Sequence, residues 1–89
     1  MASGEFTVSD LRRILHEAAG ESDGADVGAG TLDTDFTELG YDSLARLETG
    51  SRIEREFGIK LEDTALLEAQ TPRVLIAAVN TQLTVAGAS

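Results

Sequence analysis

The sequence has no cysteine, no tryptophan, a single histidine and a single proline. The missing thiols exclude disulfides, thiolate metal sites and a cysteine nucleophile, and His16 alone offers no imidazole pair to a metal ion. Any thiol chemistry must therefore use a sulfur brought in from outside. Long apolar runs are missing too: nothing approaches the roughly 20 residues of a membrane span. The opening MASGEFTVSD has neither the basic start nor the apolar stretch of a secretory signal, which leaves a cytoplasmic address as the default expectation. Lysine and arginine are absent from positions 14–45, where eight of the sixteen acids lie, and the formal charge of the chain is −9. A field of that sign repels nucleic-acid phosphates and anionic membranes and favours basic protein surfaces, although it also serves simply to keep a small protein soluble.

What is present fits one small domain over 1–89. A chain of 89 residues buries about 60–65% of its unfolded surface, which leaves little room for a deep catalytic pocket beside a core. Val8, Leu11, Ile14, Leu15 and Ala18 recur at helical spacing over an arc of about 140°. With Thr7 as cap, Asp10 three residues on and Gly20 as stop, they predict a helix over 8–19. Residues 20–42 carry five of the nine glycines and read as a loop, mobile at first and ordered from Leu32 onward, where Leu32, Phe36 and Leu39 pin it to the core. Asp42 as cap and Gly58 as stop bound a second helix over 43–57.

That second helix has two apolar faces. Gly50, Ile53 and Phe57 make the core face, the glycine allowing close approach of another helix, while Leu44 and Leu47 are left outside. Arg46 falls on the core side, with its stem expected to pack and its head to reach solvent. Ile59 and Leu61 should tuck in, Asp63 should cap a short helix over 64–67, and Thr71-Pro72 marks the start of a last helix. Its core face is Leu75, Ile76, Val79, Leu83 and Ala86, with 1–6 and 87–89 expected to be flexible. The prediction is an all-α bundle of three long helices and one short one, with a long loop between the first two.

Nothing in the chain assembles an active site of its own. Gly40-Tyr41-Asp42-Ser43 lacks the trailing glycine of a nucleophile elbow, and His16, on the polar side of its helix, is not placed as its base. The acids Asp23, Asp26, Asp33 and Asp35 do not align with a calcium loop, and Gly28-Ala29-Gly30 lacks the rest of a dinucleotide fingerprint. One chemically distinctive position is left: Ser43 opens a helix, where unpaired N–H groups and the helix dipole favour an attached phosphate.

The string Glu38-Leu39-Gly40-Tyr41-Asp42-Ser43-Leu44-Ala45, followed by Leu47-Glu48-Thr49, resembles the carrier-protein signature, in the wording of acyl carrier proteins of bacterial aromatic (type II) polyketide synthases. Phe57-Gly58-Ile59, the Glu62-Asp63 turn and Thr71-Pro72-Arg73 with Leu75-Ile76 also match, so the resemblance covers about residues 6–85. It departs at Lys60-Leu61, where an apolar-proline step is usual, and at Arg46, usually apolar. The resemblance implies a discrete, monomeric carrier with no catalysis of its own. Ser43 would receive 4′-phosphopantetheine from coenzyme A through a separate phosphopantetheinyl transferase, and the arm's thiol would hold the growing chain as a thioester. The implied partners are a malonyl transferase, a ketosynthase/chain-length factor pair, a ketoreductase and cyclases.

Beside Asp42 and Ser43, the apolar pair Leu44 and Leu47 with Ser51 and the acidic rim Glu48 and Glu54 form a candidate docking patch for basic partner surfaces. Gly50 and the alanines would permit a loosely filled core able to take a guest chain. Arg73 and Asn80 lie about 20° apart on one flank of the last helix, a position at which related aromatic-polyketide carriers have matching polar residues. They are candidate contacts for the carbonyls of a polyketone chain. A fatty-acid carrier, a peptidyl carrier and an unmodified helical interaction module remain as alternatives.

Overall fold

The computed structural model describes residues 5–19 and 27–88. Among the described residues four α-helices follow one another: α1 Val8–Ala19, α2 Ser43–Phe57, α3 Asp63–Glu68 and α4 Pro72–Ala88, with a single 3₁₀ turn at Ala29–Thr31. There is no strand among the described residues. The expectations placed on residues 1–4, Gly20, the loop segment 21–26, Ser89 and the side chain of Ala86 lie outside the description.

Helix α1 begins as its sequence requires. The Asp10 amide donates to Thr7 Oγ1 (3.2 Å), while the Thr7 amide and hydroxyl donate to Asp10 Oδ2 (3.1 and 3.0 Å), a reciprocal cap with aspartate in the usual glutamate place. Its stripe of Leu11, Ile14 and Leu15 is fully buried. The residue before the cap corrects the expectation of a flexible start through residue 6. Phe6 is buried and sets its ring edge-on to Phe57, with centroids 5.2 Å apart. Asn80 holds its backbone from both sides, Oδ1 accepting from the Phe6 amide (2.7 Å) and Nδ2 donating to the Phe6 carbonyl (3.0 Å). At the other end, α4 extends through Ala88.

The connection into α2 is ordered earlier than Leu32. Val27 is fully buried, and the Gly28 amide donates to Thr31 Oγ1 (2.9 Å) across the 3₁₀ turn. The next residues are stitched to the start of α4. The Arg73 amide, an unpaired donor of the first turn, donates to the Leu32 carbonyl (2.9 Å), and the Phe36 amide donates to the Gln70 carbonyl (2.8 Å). The Arg73 guanidinium adds a two-pronged pair to Asp33 (2.8 and 3.2 Å).

Helices α2 and α3 pack through Gly50. A methyl group at that position would stand 2.7 Å from Cδ2 of the buried Leu66, so the space the glycine frees is filled by α3 rather than left for a guest. The short helix starts at Asp63, one residue before the expected start, and runs to Glu68. Arg46 is a correction as well. Its head is not in solvent: the residue is 9% exposed, and Nη1 donates to the carbonyls of Leu67 (3.2 Å) and Ala69 (3.3 Å). A cation is favourable there because the last carbonyls of α3 are unpaired and carry the negative end of its dipole.

Candidate functional site

Residues 35–42 deliver Ser43 by a series of local bonds. Asp35 Oδ1 accepts from the Thr37 amide (2.9 Å) and hydroxyl (2.7 Å), which opens a helical turn. These bonds, the hydroxyl first, hold the Asp35 carboxyl below its ordinary range. The turn closes with the Tyr41 amide donating back to the Phe36 carbonyl (2.8 Å), and between them Gly40 sits at φ 94°, a conformation that excludes most side chains. Tyr41 is thereby driven into the core, edge-on to Phe36 with ring centroids 6.4 Å apart. The next residue, Asp42, leaves the core in extended conformation and caps α2, its Oδ1 accepting from the Ala45 amide (2.9 Å). Each residue of Gly40-Tyr41-Asp42-Ser43 thus has a separate physical task, and the last of them stands exposed at the first position of the helix.

The surroundings of Ser43 match part of the expected patch. Leu44 is 73% exposed, a large apolar side chain with nothing on it, and Glu48 and Ser51 are exposed on the same side of α2. Leu47 corrects the expectation of an outside position: it is half-buried and packs against the core. Glu54 is half-buried, and its Oε2 accepts from the Leu61 amide (2.7 Å), so it braces the segment after α2 rather than standing free as a rim. That segment borders two open depressions. One of about 540 Å³ is lined by Glu54 and residues 60–64, and one of about 360 Å³ by residues 60–62 with Ala65, Ala78, Thr81 and Gln82. Glu54 lies about 16 Å along α2 from Ser43.

Arg73 and Asn80 are not brought together as a pair. Arg73 is committed to Asp33 and Asn80 to the backbone of Phe6. No local sequence pattern announces either partner. Asp33 sits in a glycine-rich stretch with no periodicity, and Phe6 precedes the first cap. The one available signal was Phe6 itself, an aromatic immediately before a cap, the place from which a side chain packs back on its helix.

The site fits a phosphate ester. Asp42 spends its carboxylate on the Ala45 amide, and the Arg46 amide donates to the Asp42 carbonyl (3.1 Å). The amides of Ser43 and Leu44, which have no partner among the described residues, remain for an anion attached to the serine. No group of three His, Asp or Glu side chains among the described residues is placed to hold a metal ion. An exposed serine at a helix start, with the Ser43 and Leu44 amides beside it and presented by a helical bundle, suits a protein that carries a phosphate-linked group. Residues 9–79 match the family model for the phosphopantetheine attachment site. The chain belongs to that family and, within it, to the polyketide synthase acyl carrier proteins, as its relatives show. It is 56% identical over 89 residues to the monensin polyketide synthase acyl carrier protein of Streptomyces virginiae, covering 97% of each chain. It is also similar to the solution structure of the actinorhodin 3,5-dioxohexyl carrier protein of Streptomyces coelicolor, a triketide mimic, with TM-score 0.85 and 43% identity over 97% of this chain and 99% of that one. The actinorhodin holo acyl carrier protein gives TM-score 0.82 at the same identity and coverage.

Proposed function

We propose that this protein is the discrete acyl carrier of a bacterial type II polyketide synthase, with Ser43 as its attachment residue. The observation that carries the reading is the exposed hydroxyl of Ser43 at the head of α2, with the neighbouring Asp42 carboxylate engaged by the Ala45 amide and the amides of Ser43 and Leu44 without a partner among the described residues. When attached, 4′-phosphopantetheine supplies the thiol that a chain without cysteine lacks. The protein's own residues hold the hydroxyl in place, favour the phosphate electrostatically and present Leu44 and Glu48 beside it. The partners are a phosphopantetheinyl transferase, a malonyl transferase, a ketosynthase/chain-length factor pair and the reducing and cyclising enzymes that follow. Each meets the carrier through a small, transient contact, and the protein works as a monomer in the cytoplasm. No helix of the described residues is long and apolar enough to cross a membrane.

Incubation with coenzyme A, magnesium and a broad-specificity phosphopantetheinyl transferase, followed by intact-mass measurement, tests this reading. One phosphopantetheine group should be added, and the Ser43→Ala variant should gain nothing. A gain that survives Ser43→Ala would assign the attachment elsewhere, and no gain at all would leave a helical interaction module.

A further inference from the structure

Helix α2 carries six charged side chains, and five of them are spent within the molecule. Arg46 caps the carbonyls of Leu67 and Ala69, Glu48 and Arg52 pair at 3.4 Å, Glu54 accepts from the Leu61 amide, and Glu56 pairs with Arg13 of α1. Arg55 is the exception: it is exposed and has no partner among the described residues. The spacing explains why. Its helical neighbours at three and four residues are Ser51, Arg52, Gly58 and Ile59, so no carboxylate stands where an intrahelical pair needs one, and the nearest such neighbour in charge is another cation.

Its direction gives the free charge a meaning. Arg55 lies eleven residues after Leu44, which brings it back to within about 20° of the same face, about 16 Å further along the axis. Ser51 is exposed on that face between them. The outward side of α2 therefore presents an unpartnered apolar group beside Ser43 and an unpartnered cation three turns away, on a molecule whose total charge is −9. A uniformly basic partner surface would attract the protein as a whole and repel it at Arg55.

We infer that Arg55 is a docking residue, and that the surface it fits belongs to a partner enzyme that is basic around the opening receiving the arm and carries an acidic side chain about 16 Å from that opening. The pair of opposite charges fixes the direction in which α2 lies across the partner, which a basic patch alone leaves free. This rests on the carrier reading above and adds a specific chemistry to the partner. The competing role is internal: a cation in the last turn of α2 also favours the helix dipole, as Arg55 does by position.

The test uses the full-length holo-protein and, as probe, the purified ketosynthase/chain-length factor pair of a type II synthase. KM and kcat for the acylated carrier are measured for the parent, Arg55→Glu and Arg55→Lys at low and high salt. Arg55→Glu should raise KM about three- to tenfold at low salt with kcat unchanged, the size of one exposed ion pair turned into a repulsion. The rise should vanish at high salt, and Arg55→Lys should stay near the parent. Lysine in place of the partner's acidic residue should restore the KM of Arg55→Glu. An unchanged KM, a rise that persists at high salt, or a rise that follows a lowered melting temperature would overturn the proposal in favour of a role in α2 alone. Failure of the carrier reading would show separately, as a parent protein that gains no phosphopantetheine mass.

Discussion

The contact between Gly50 and Leu66 allows a substitution whose sign is decided by two opposing magnitudes. Replacing glycine by alanine in an exposed helix interior favours the helix by roughly 1 kcal/mol. Here the added methyl would stand 2.7 Å from Leu66 Cδ2 and 3.0 Å from its Cγ, with Cδ1 nearer still. Because the branch carbon as well as both methyls is in the way, turning one terminal methyl is not enough. Leu66 is 3% exposed, and the end of α3 that would have to give way is held by Arg46. Overpacking of this kind costs about 1–3 kcal/mol, and the upper half of that range applies. Gly50→Ala should therefore be destabilised by about 1–2 kcal/mol, a fall in melting temperature of roughly 5–10 °C for a domain of this size. Thermal and urea melts followed by circular dichroism measure it. In a Leu66→Ala background the obstacle is gone, and the same change should be stabilising by up to about 1 kcal/mol. A parent background in which Gly50→Ala raises the melting temperature, or equal harm in both backgrounds, would refute the argument.

Phe6→Ala should cost about 3 kcal/mol, because a fully buried ring and its edge-on partner Phe57 are lost together, and far-UV melts of the full-length variant read it. A loss under about 1 kcal/mol would mean that the segment before α1 contributes little to the bundle. The Asp33 carboxyl is held below its ordinary range chiefly by the hydrogen bond from Arg73, so its stabilising contribution is complete above the ordinary carboxylate range and is lost as the pH falls through the depressed value. An NMR pH titration should place the Asp33 midpoint below that of an unperturbed aspartate and move it up in Arg73→Gln while leaving Asp35, which depends first on Thr37, in place; an Asp33 midpoint that ignores the substitution would sink the assignment.

The parts of the molecule legible in the sequence are those where one residue decides a local event. Asp42 and Gly58 bound α2, Thr7 with Asp10 opens α1, and Pro72 opens α4, because caps and stops act within a few residues of themselves. What stayed hidden depends on residues far apart in the chain. Phe6 finds Asn80 across 74 positions, Asp33 finds Arg73 across 40, and Arg46 finds the end of α3 across 21 and 23. No periodicity announces such pairs. Arg46 shows the difficulty most clearly: helical spacing placed it correctly on the inner side, yet an arginine pointing inward is readable only once the unpaired carbonyls of α3 are known to be there. Leu47 failed for a milder reason. It borders both faces of α2, and which face buries it depends on how closely the neighbouring helices approach.

These hidden pairs bear on how so small a protein presents a recognisable surface. A polar or charged side chain that is free invites any partner, whereas one already engaged invites few. Along α2 and the loop before it, Asp35, Asp42, Arg46, Glu54 and Glu56 are all drawn into bonds that the bundle itself needs, and Asp33 is tied to Arg73. The internal bonds that hold the scaffold therefore also clear its outer face. On that face stand Ser43, an apolar group beside it, Glu48 paired with Arg52, and a cation about 16 Å away that is unpaired among the described residues. With so few features left unengaged, a modest contact area suffices to fix an orientation, and dissociation can remain fast enough for the next enzyme in the sequence. Stability and recognition are linked in one direction: the bonds that hold α2 to its neighbours, Glu56 with Arg13 and Glu54 with the Leu61 amide among them, also decide which of its charges are left for a partner.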